Sequence, residues 1–206
     1  MRSQTCIIPV GGEGTRMGGL TETVPKCLLK TKNGRTLLEQ VVEFWSADRY
    51  VVILNNFVSE ITSTMEALGV DWTAVKTTEK TLASSICLAQ TVVNTPFVIA
   101  LGDCLFNGTF EHEVLRGVGV KEGTGEFHRT YAVGHAGKDD VTSLIEKPLM
   151  GLGCYWFDSA DFEFFSEGGG MEHALERGMA AHTFKVNRFT GDYINVTYPE
   201  DLENWG

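Results

Sequence analysis

The segment with the clearest chemical content is Gly11-Gly12-Glu13-Gly14-Thr15-Arg16, followed nine residues later by Pro25-Lys26. Glycine at these places lets backbone N–H groups approach phosphate oxygens or the flat face of a base with no Cβ in the way. Between Gly14 and Arg35 the cations Arg16, Lys26, Lys30, Lys32 and Arg35 face a single acid, Glu22. In a chain of net charge −10 this local basic stretch points to an anionic ligand; a flexible turn with solvated lysines is the plainer reading of the same residues. Pro25 restricts the backbone ahead of Lys26 and can aim that side chain. Two phosphate-binding patterns are excluded. A dinucleotide fingerprint starting at Gly12 needs glycine where Met17 stands, and no Gly-Lys-Ser/Thr run follows a glycine loop.

Other chemistry is thin. No Ser-His-Asp or Cys-His arrangement stands out, and His112, His128, His135, His173 and His182 lack metal-ligand spacing. Cys6, Cys27, Cys87, Cys104 and Cys154 are odd in number and contain no C-x-x-C pair, which argues against a disulfide framework or zinc ribbon and for a reducing compartment. Asp103, at the end of the apolar run Phe97–Leu101, stands where a doubly wound sheet collects ligands; a turn cap is the alternative.

The elements that must position these residues alternate short β-branched runs with helical periods. Cys6–Val10, Tyr50–Leu54, Trp72–Val75 and Phe97–Leu101 read as strands. Leu37–Trp45, Val58–Leu68 and Ser84–Val93 read as helices from their i, i+3, i+4, i+7 apolar spacing. This βαβαβαβ order predicts a mostly parallel sheet with helices on both faces. The second half is less regular. Gly117–Gly125 reads as loop, and Thr130–Val133, Val141–Ile145 and Cys154–Phe157 as strands. Met171–Ala181 reads as a helix, and Pro199 opens a last one, with Glu200 and Asp201 favouring its N-terminal dipole. Trp45, Trp72, Trp156 and Trp205 read as packing residues, whereas Phe162, Phe164 and Phe165 read as an exposed face suited to a homodimer.

At 206 residues the expectation is one domain, 1–206, whose halves meet at about residue 110. The acidic charge balance argues against nucleic-acid and anionic-membrane partners. No apolar stretch reaches the roughly 18 residues of a membrane span, and no secretory h-region opens the chain, so a cytoplasmic location is expected.

The order of parts resembles the sugar-phosphate nucleotidyltransferase family. Its pattern GGxGTRL…T…PKPLL is matched at Gly11, Gly12, Gly14, Thr15, Arg16, Thr21, Pro25, Lys26, Leu28 and Leu29, with Met17 for the usual leucine and Cys27 for proline. Phe97–Asp103 is similar to the family's strand ending in Gly-Asp. Glu146-Lys147-Pro148 is similar to its Glu-Lys-Pro element, Gly153–Phe157 to the glycine-led strand after it, and Asn195–Leu202 to its T-P-E-D-L ending.

The resemblance implies a three-layer α/β/α, Rossmann-like (GT-A-like) fold with a mostly parallel mixed sheet and a small acceptor lobe. It implies magnesium-dependent transfer of a nucleoside monophosphate from an NTP to a sugar 1-phosphate, releasing pyrophosphate. Under it, Gly11, Gly12, Gly14 and Thr15 contact base and phosphates, with Thr78, Ser84 and Gly102 as further base readers. Arg16 meets the leaving phosphates, and Lys26 bridges the α-phosphate and the attacking phosphate. Asp103 and Asn195 hold Mg²⁺, while Glu146, Lys147 and Gly153 bind the acceptor. Two departures stand out. Asn195 replaces the usual second aspartate, leaving Asp192 as a possible substitute, and Ala83 puts a methyl group where family members place glycine close to the nucleotide. The alternatives are a cytidylyltransferase acting on a non-sugar phosphate or phosphonate, such as phosphocholine, and a non-catalytic nucleotide-binding paralogue.

Overall fold

Thr5–Pro9 (β1) is a strand because its residues are apolar on both sides. Cys6 and Ile8 enter one core and Ile7 the other, as period-two alternation requires of a sheet covered on both faces. The structure, a computed structural model, describes residues 4–12, 14–123, 130–131 and 149–206, with the backbone alone for 130–131.

Arg49–Leu54 (β2), Trp72–Lys76 (β3) and Phe97–Ala100 (β4) join β1 in a parallel run. The first connecting helix, Leu37–Trp45 (α1), begins at a reciprocal cap: Glu39 N–H donates to Thr36 Oγ1 at 3.2 Å, and Thr36 N–H donates back to the Glu39 carboxylate at 2.5 Å. Its Leu37, Leu38, Val41, Val42 and Trp45 stripe is buried. Val58–Leu68 (α2) buries Ile61 and Met65 on the same side of the sheet and ends at Gly69, whose φ of 66° suits a helix C-terminus. Leu82–Cys87 (α3) covers the opposite face. It starts two residues before the expected Ser84, because Thr81 caps Ser84 N–H, and it gives way to a 3₁₀ turn at Leu88–Thr91.

The second half corrects several expectations. Cys104–Phe110 (β5) and Lys185–Asn195 (β9) are strands that the apolar pattern did not announce. Gly117–Glu122 (β6) is a strand where a loop was expected. Its glycines are there for packing: a Cβ on Gly117 would lie 2.6 Å from the Lys185 carbonyl oxygen, and one on Gly119 would lie 2.2 Å from Cys154 Sγ. Thr130–Tyr131 (β7) is the described part of the expected Thr130–Val133 strand, and Val141–Ile145 lies outside the described residues. Leu149–Phe157 (β8) begins five residues before the expected Cys154. Met171–Ala181 (α4) and Pro199–Asn204 (α5) stand where anticipated.

The sheet order is β3-β2-β1-β4-β8-β6-β9-β5, with β7 beside β8. Pairing is parallel from β3 to β4 and again between β6 and β9, and antiparallel elsewhere. One apolar cluster lies under α1, α2 and α5 and the other under α3 and α4, giving the three-layer α/β/α architecture.

Phe162, Phe164 and Phe165 belong to the second cluster and are buried, so they supply no dimer face. They sit in a 3₁₀ turn, Ser159–Phe165, where residues i and i+3 eclipse. Phe162 stacks on Phe97 at 4.6 Å, and Phe165 meets Phe157 edge-on at 4.9 Å. Trp45 and Trp156 are buried in the first cluster, while Trp72 and Trp205 pack at its margin. Among the described residues no helix is long and apolar enough to cross a membrane.

Candidate active site

The carboxyl ends of β1, β2, β3 and β4 open into a cleft of about 600 Å³, the place where an open α/β sheet collects its ligand. Gly11, Gly12, Gly14, Thr15, Arg16 and Lys26 line one side. Gly102, Asp103 and Asn195 line another.

The glycine loop leaves β1 and turns at Gly14, whose φ of 64° is a left-handed conformation. A Cβ there would also press to 3.0 Å from Thr21 Cγ2, so the turn needs glycine twice over. The Gly14 carbonyl accepts from Met17 N–H at 2.8 Å and from Thr21 Oγ1 at 3.1 Å. Met17, in place of the more usual leucine, is buried and pins the loop to the core while Arg16 beside it is exposed. Pro25, extended at ψ 144°, leads into a one-turn 3₁₀ helix, Lys26–Leu28. That turn sends Cys27 into the core, where burial pushes its thiol up to about 12, and Lys26 into the cleft.

Lys26 Nζ donates to Asp103 Oδ2 at 2.5 Å, across 77 residues of sequence. Gly102 before it lies against the end of β1: a Cβ there would come 2.9 Å from Val10 Cγ1. Asp103 is also tied through its backbone, its carbonyl accepting from Val196 N–H at 2.9 Å. Cys104 stands opposite Asn195 in the β5–β9 register. Its Sγ lies 3.8 Å from Asp103 Oδ1, 3.9 Å from Asn195 Oδ1 and 3.5 Å from the Tyr193 hydroxyl. Burial, reinforced by the Asp103 charge, pushes this thiol well above its ordinary range, so it is a protonated packing group and no nucleophile.

Asp103 and Asn195 therefore both line the cleft, one carboxylate and one amide, each with an oxygen within 4 Å of the same buried sulfur. Hard oxygen donors in this small number fit magnesium, which keeps several waters and takes remaining ligands from phosphate. Asp192 does not join them. It is exposed, lies off the cleft and pairs with Asn107 further along β9.

Other expected residues are displaced by one step. Thr78 is exposed and off the cleft, and Thr77 lines it. Ser84 is held by the Thr81 cap, and Ser85 lines it, its hydroxyl 3.2 Å from that of Thr77. Gly153 does not line the cleft. Its φ is 70°, and a Cβ would lie 2.6 Å from Cys104 Sγ, so its role is to make room for that thiol; Gly151 lines the cleft instead. The Ala83 methyl group is buried in the second core and does not narrow the cleft. Glu146 and Lys147 lie outside the described residues.

Asn55, Glu79, Lys80, Thr81 and Thr197 also line the cleft and were not anticipated. Asn55 and Thr77 each directly follow a parallel strand, β2 and β3, and counting one residue past each strand end would have found them.

Residues 6–118, more than half of the chain and including the glycine loop, Lys26 and Asp103, match the family model described as MobA-like NTP transferase domain. The chain belongs to this family. As a MobA-like NTP transferase domain it is 27% identical over 123 residues to the bifunctional IPC transferase and DIPP synthase of Aquifex aeolicus (strain VF5). That match covers 57% of this chain and 28% of the Aquifex protein. Among solved structures it is similar to the inositol-1-phosphate CTP transferase from T. maritima. The TM-score there is 0.81 at 19% identity, covering 97% of this chain and 91% of that one. It is also similar to a UDP-glucose pyrophosphorylase complexed with UDP-glucose, at TM-score 0.78 and 19% identity, covering 98% and 96%. Identities this low establish the common fold.

Proposed function

We propose that the protein transfers a nucleoside monophosphate from a nucleoside triphosphate to a sugar 1-phosphate, releasing pyrophosphate and forming an activated nucleoside-diphosphate sugar. The observation that carries the reading is the Lys26–Asp103 contact at 2.5 Å beside the glycine loop. It sets the cation for phosphate and the oxygen for a metal at one point.

A phosphate monoester has its second pKa near 6 and is largely dianionic at pH 7, so its oxygen needs no general base. That oxygen attacks the α-phosphorus in line. The bond from the α-phosphorus to the α,β-bridging oxygen breaks, and its electron pair leaves on pyrophosphate. The main barrier is bringing two polyanions together, which asks for positioning and positive charge. Backbone N–H groups of Gly11, Gly12 and Gly14 seat the triphosphate, and Arg16 stabilises charge growing on the leaving phosphates. Lys26 bridges the α-phosphate and the attacking phosphate. Asp103 and Asn195 would hold magnesium, which would screen the charge of the triphosphate oxygens. Glu146 and Lys147 keep the acceptor roles that the sequence resemblance implies.

Pyrophosphate release measured across a matrix of triphosphates and acceptor phosphates, with and without Mg²⁺, tests this. Activity with a sugar 1-phosphate supports it, and a matrix with no productive pair sinks it. A second reading, cytidylyl transfer to a non-sugar phosphate, is favoured by the TM-score of 0.81 to a protein described as an inositol-1-phosphate CTP transferase. The same matrix separates the two, because the second predicts turnover confined to CTP with a polyol or amino-alcohol phosphate.

A further inference from the structure

Asp201 lies outside the cleft, in the first turn of the short helix α5. Its Oδ2 nevertheless accepts two backbone N–H bonds from the turn that enters the cleft, Thr197 N at 2.7 Å and Tyr198 N at 2.8 Å. Carboxylate acceptors of this kind are roughly twice as strong as neutral ones. The turn joins β9 to α5: it follows Asn195, the last residue of β9, and carries Thr197, and both of these line the cleft. Between them Val196 is buried and donates its N–H to the Asp103 carbonyl at 2.9 Å. The turn is thus stapled on one side to Asp103 and on the other to Asp201.

The second staple has a firm footing. Leu202 is buried, and its carbonyl accepts from Lys32 N–H at 2.9 Å, just beyond the Lys26 turn. Trp205 Nε1 donates to Gln40 Oε1 at 2.9 Å, on α1. Thr197 Oγ1 reaches back to the Asn195 carbonyl at 3.4 Å, so a shift of the Thr197 peptide is passed to Asn195. Magnesium demands near-octahedral geometry at about 2.0–2.1 Å, and ligating groups must be held to about 0.5 Å. A ligand on a strand end with one staple would not meet that demand.

We propose that Asp201 is a positioning residue that fixes Asn195 against Asp103 and so sets the affinity of the cleft for a divalent cation. This rests on the reading of Asp103 and Asn195 as metal ligands. It differs from a plain helix cap, which would hold α5 and leave the cleft indifferent.

The test uses Mn²⁺ alone, followed by electron paramagnetic resonance, and inorganic tripolyphosphate without metal, followed by calorimetry. Asp201→Ala should weaken Mn²⁺ binding by roughly tenfold, as loss of an outer partner does at metal sites. Tripolyphosphate, held by Arg16 and Lys26, should bind within about twofold of wild type. Asp201→Asn keeps an oxygen for both N–H groups and should restore most of the loss. Ile61→Ala removes buried apolar volume under α2, away from the cleft and from α5; it should lower the melting temperature and leave Mn²⁺ affinity unchanged. Wild-type Mn²⁺ affinity in Asp201→Ala, or an equal loss in Ile61→Ala, overturns the proposal. Should Asp201→Ala fail to fold, Asp201→Asn decides: a roughly twofold loss of Mn²⁺ affinity supports the proposal, and none overturns it. Asp103→Ala tests the underlying reading separately, since Mn²⁺ binding that survives it removes the metal ligands themselves.

Discussion

Lys26 and Asp103 are in contact at 2.5 Å with side chains 18% and 31% exposed, and the pair separates catalytic from structural worth. A partly exposed ion pair contributes on the order of 1 kcal/mol or less to stability. A cation aimed at charge that develops during reaction contributes far more, and its removal lowers turnover by about 10²–10³. Lys26→Met should therefore melt within a few degrees of wild type and lose turnover on that scale, read by thermal denaturation and pyrophosphate release. Turnover within a factor of a few of wild type would take Lys26 out of the chemistry. That Arg16, Lys26 and Asp103 line the cleft was legible because charge at a strand end or glycine loop announces itself. Asn55 carries no charge and was silent. Thr77 and Ser85 were each missed by one position, because one step along the chain turns a side chain to the other side of a strand end or by 100° around a helix.

The same contrast holds for whole elements. β1 to β4 and α1, α2 and α4 were legible because unbroken apolar runs and 3.6-residue stripes have few other readings. The strands β5, β6 and β9 were hidden by glycine, which punctuates loops but also admits close packing. Gly108 and Gly191 face each other across β5 and β9, where a Cβ on Gly108 would lie 2.1 Å from the Thr190 carbonyl oxygen. Sequence alone does not distinguish a glycine that turns from one that makes room. Gly119→Ala puts the distinction to the test: the added methyl would sit 2.2 Å from Cys154 Sγ and 3.1 Å from Phe110 Cε1. Overpacking a filled core costs about 1–3 kcal/mol, so its denaturant midpoint should fall clearly. Gly12→Ala, with nothing within 4 Å of the added Cβ, should leave the midpoint nearly unchanged. Equal midpoints for the two variants would show that β6 is not packed as described.

At the scale of the whole molecule, one of the two cores that flank the sheet, the one under α1, α2 and α5, buries most of its ionisable sulfur. Cys6, Cys27, Cys104 and Cys154 are buried, and burial pushes each thiol above its ordinary range. The same cause pushes the Tyr50 hydroxyl up to about 12. These groups stay protonated in the folded chain at a pH where the unfolded chain has released its protons. Unfolding thus releases protons above the unfolded thiol value of about 8.5, and stability falls as pH rises. Below that value the contribution is fully present. Above it each thiol lowers the unfolding free energy by about 1.4 kcal/mol per pH unit until its folded value is reached. Set against a total of about 5–15 kcal/mol for a domain, four such thiols acting together bring unfolding within about one to three pH units of the unfolded thiol value. Denaturant titrations at pH 7, 8, 9 and 10 should give a plateau to about pH 8 and a steep fall thereafter. Cys6→Ala, which removes one titrating group, should flatten that fall by about a quarter, whatever it costs at pH 7. An unfolding free energy constant between pH 8 and 10 would mean that the thiols are not held protonated in the core.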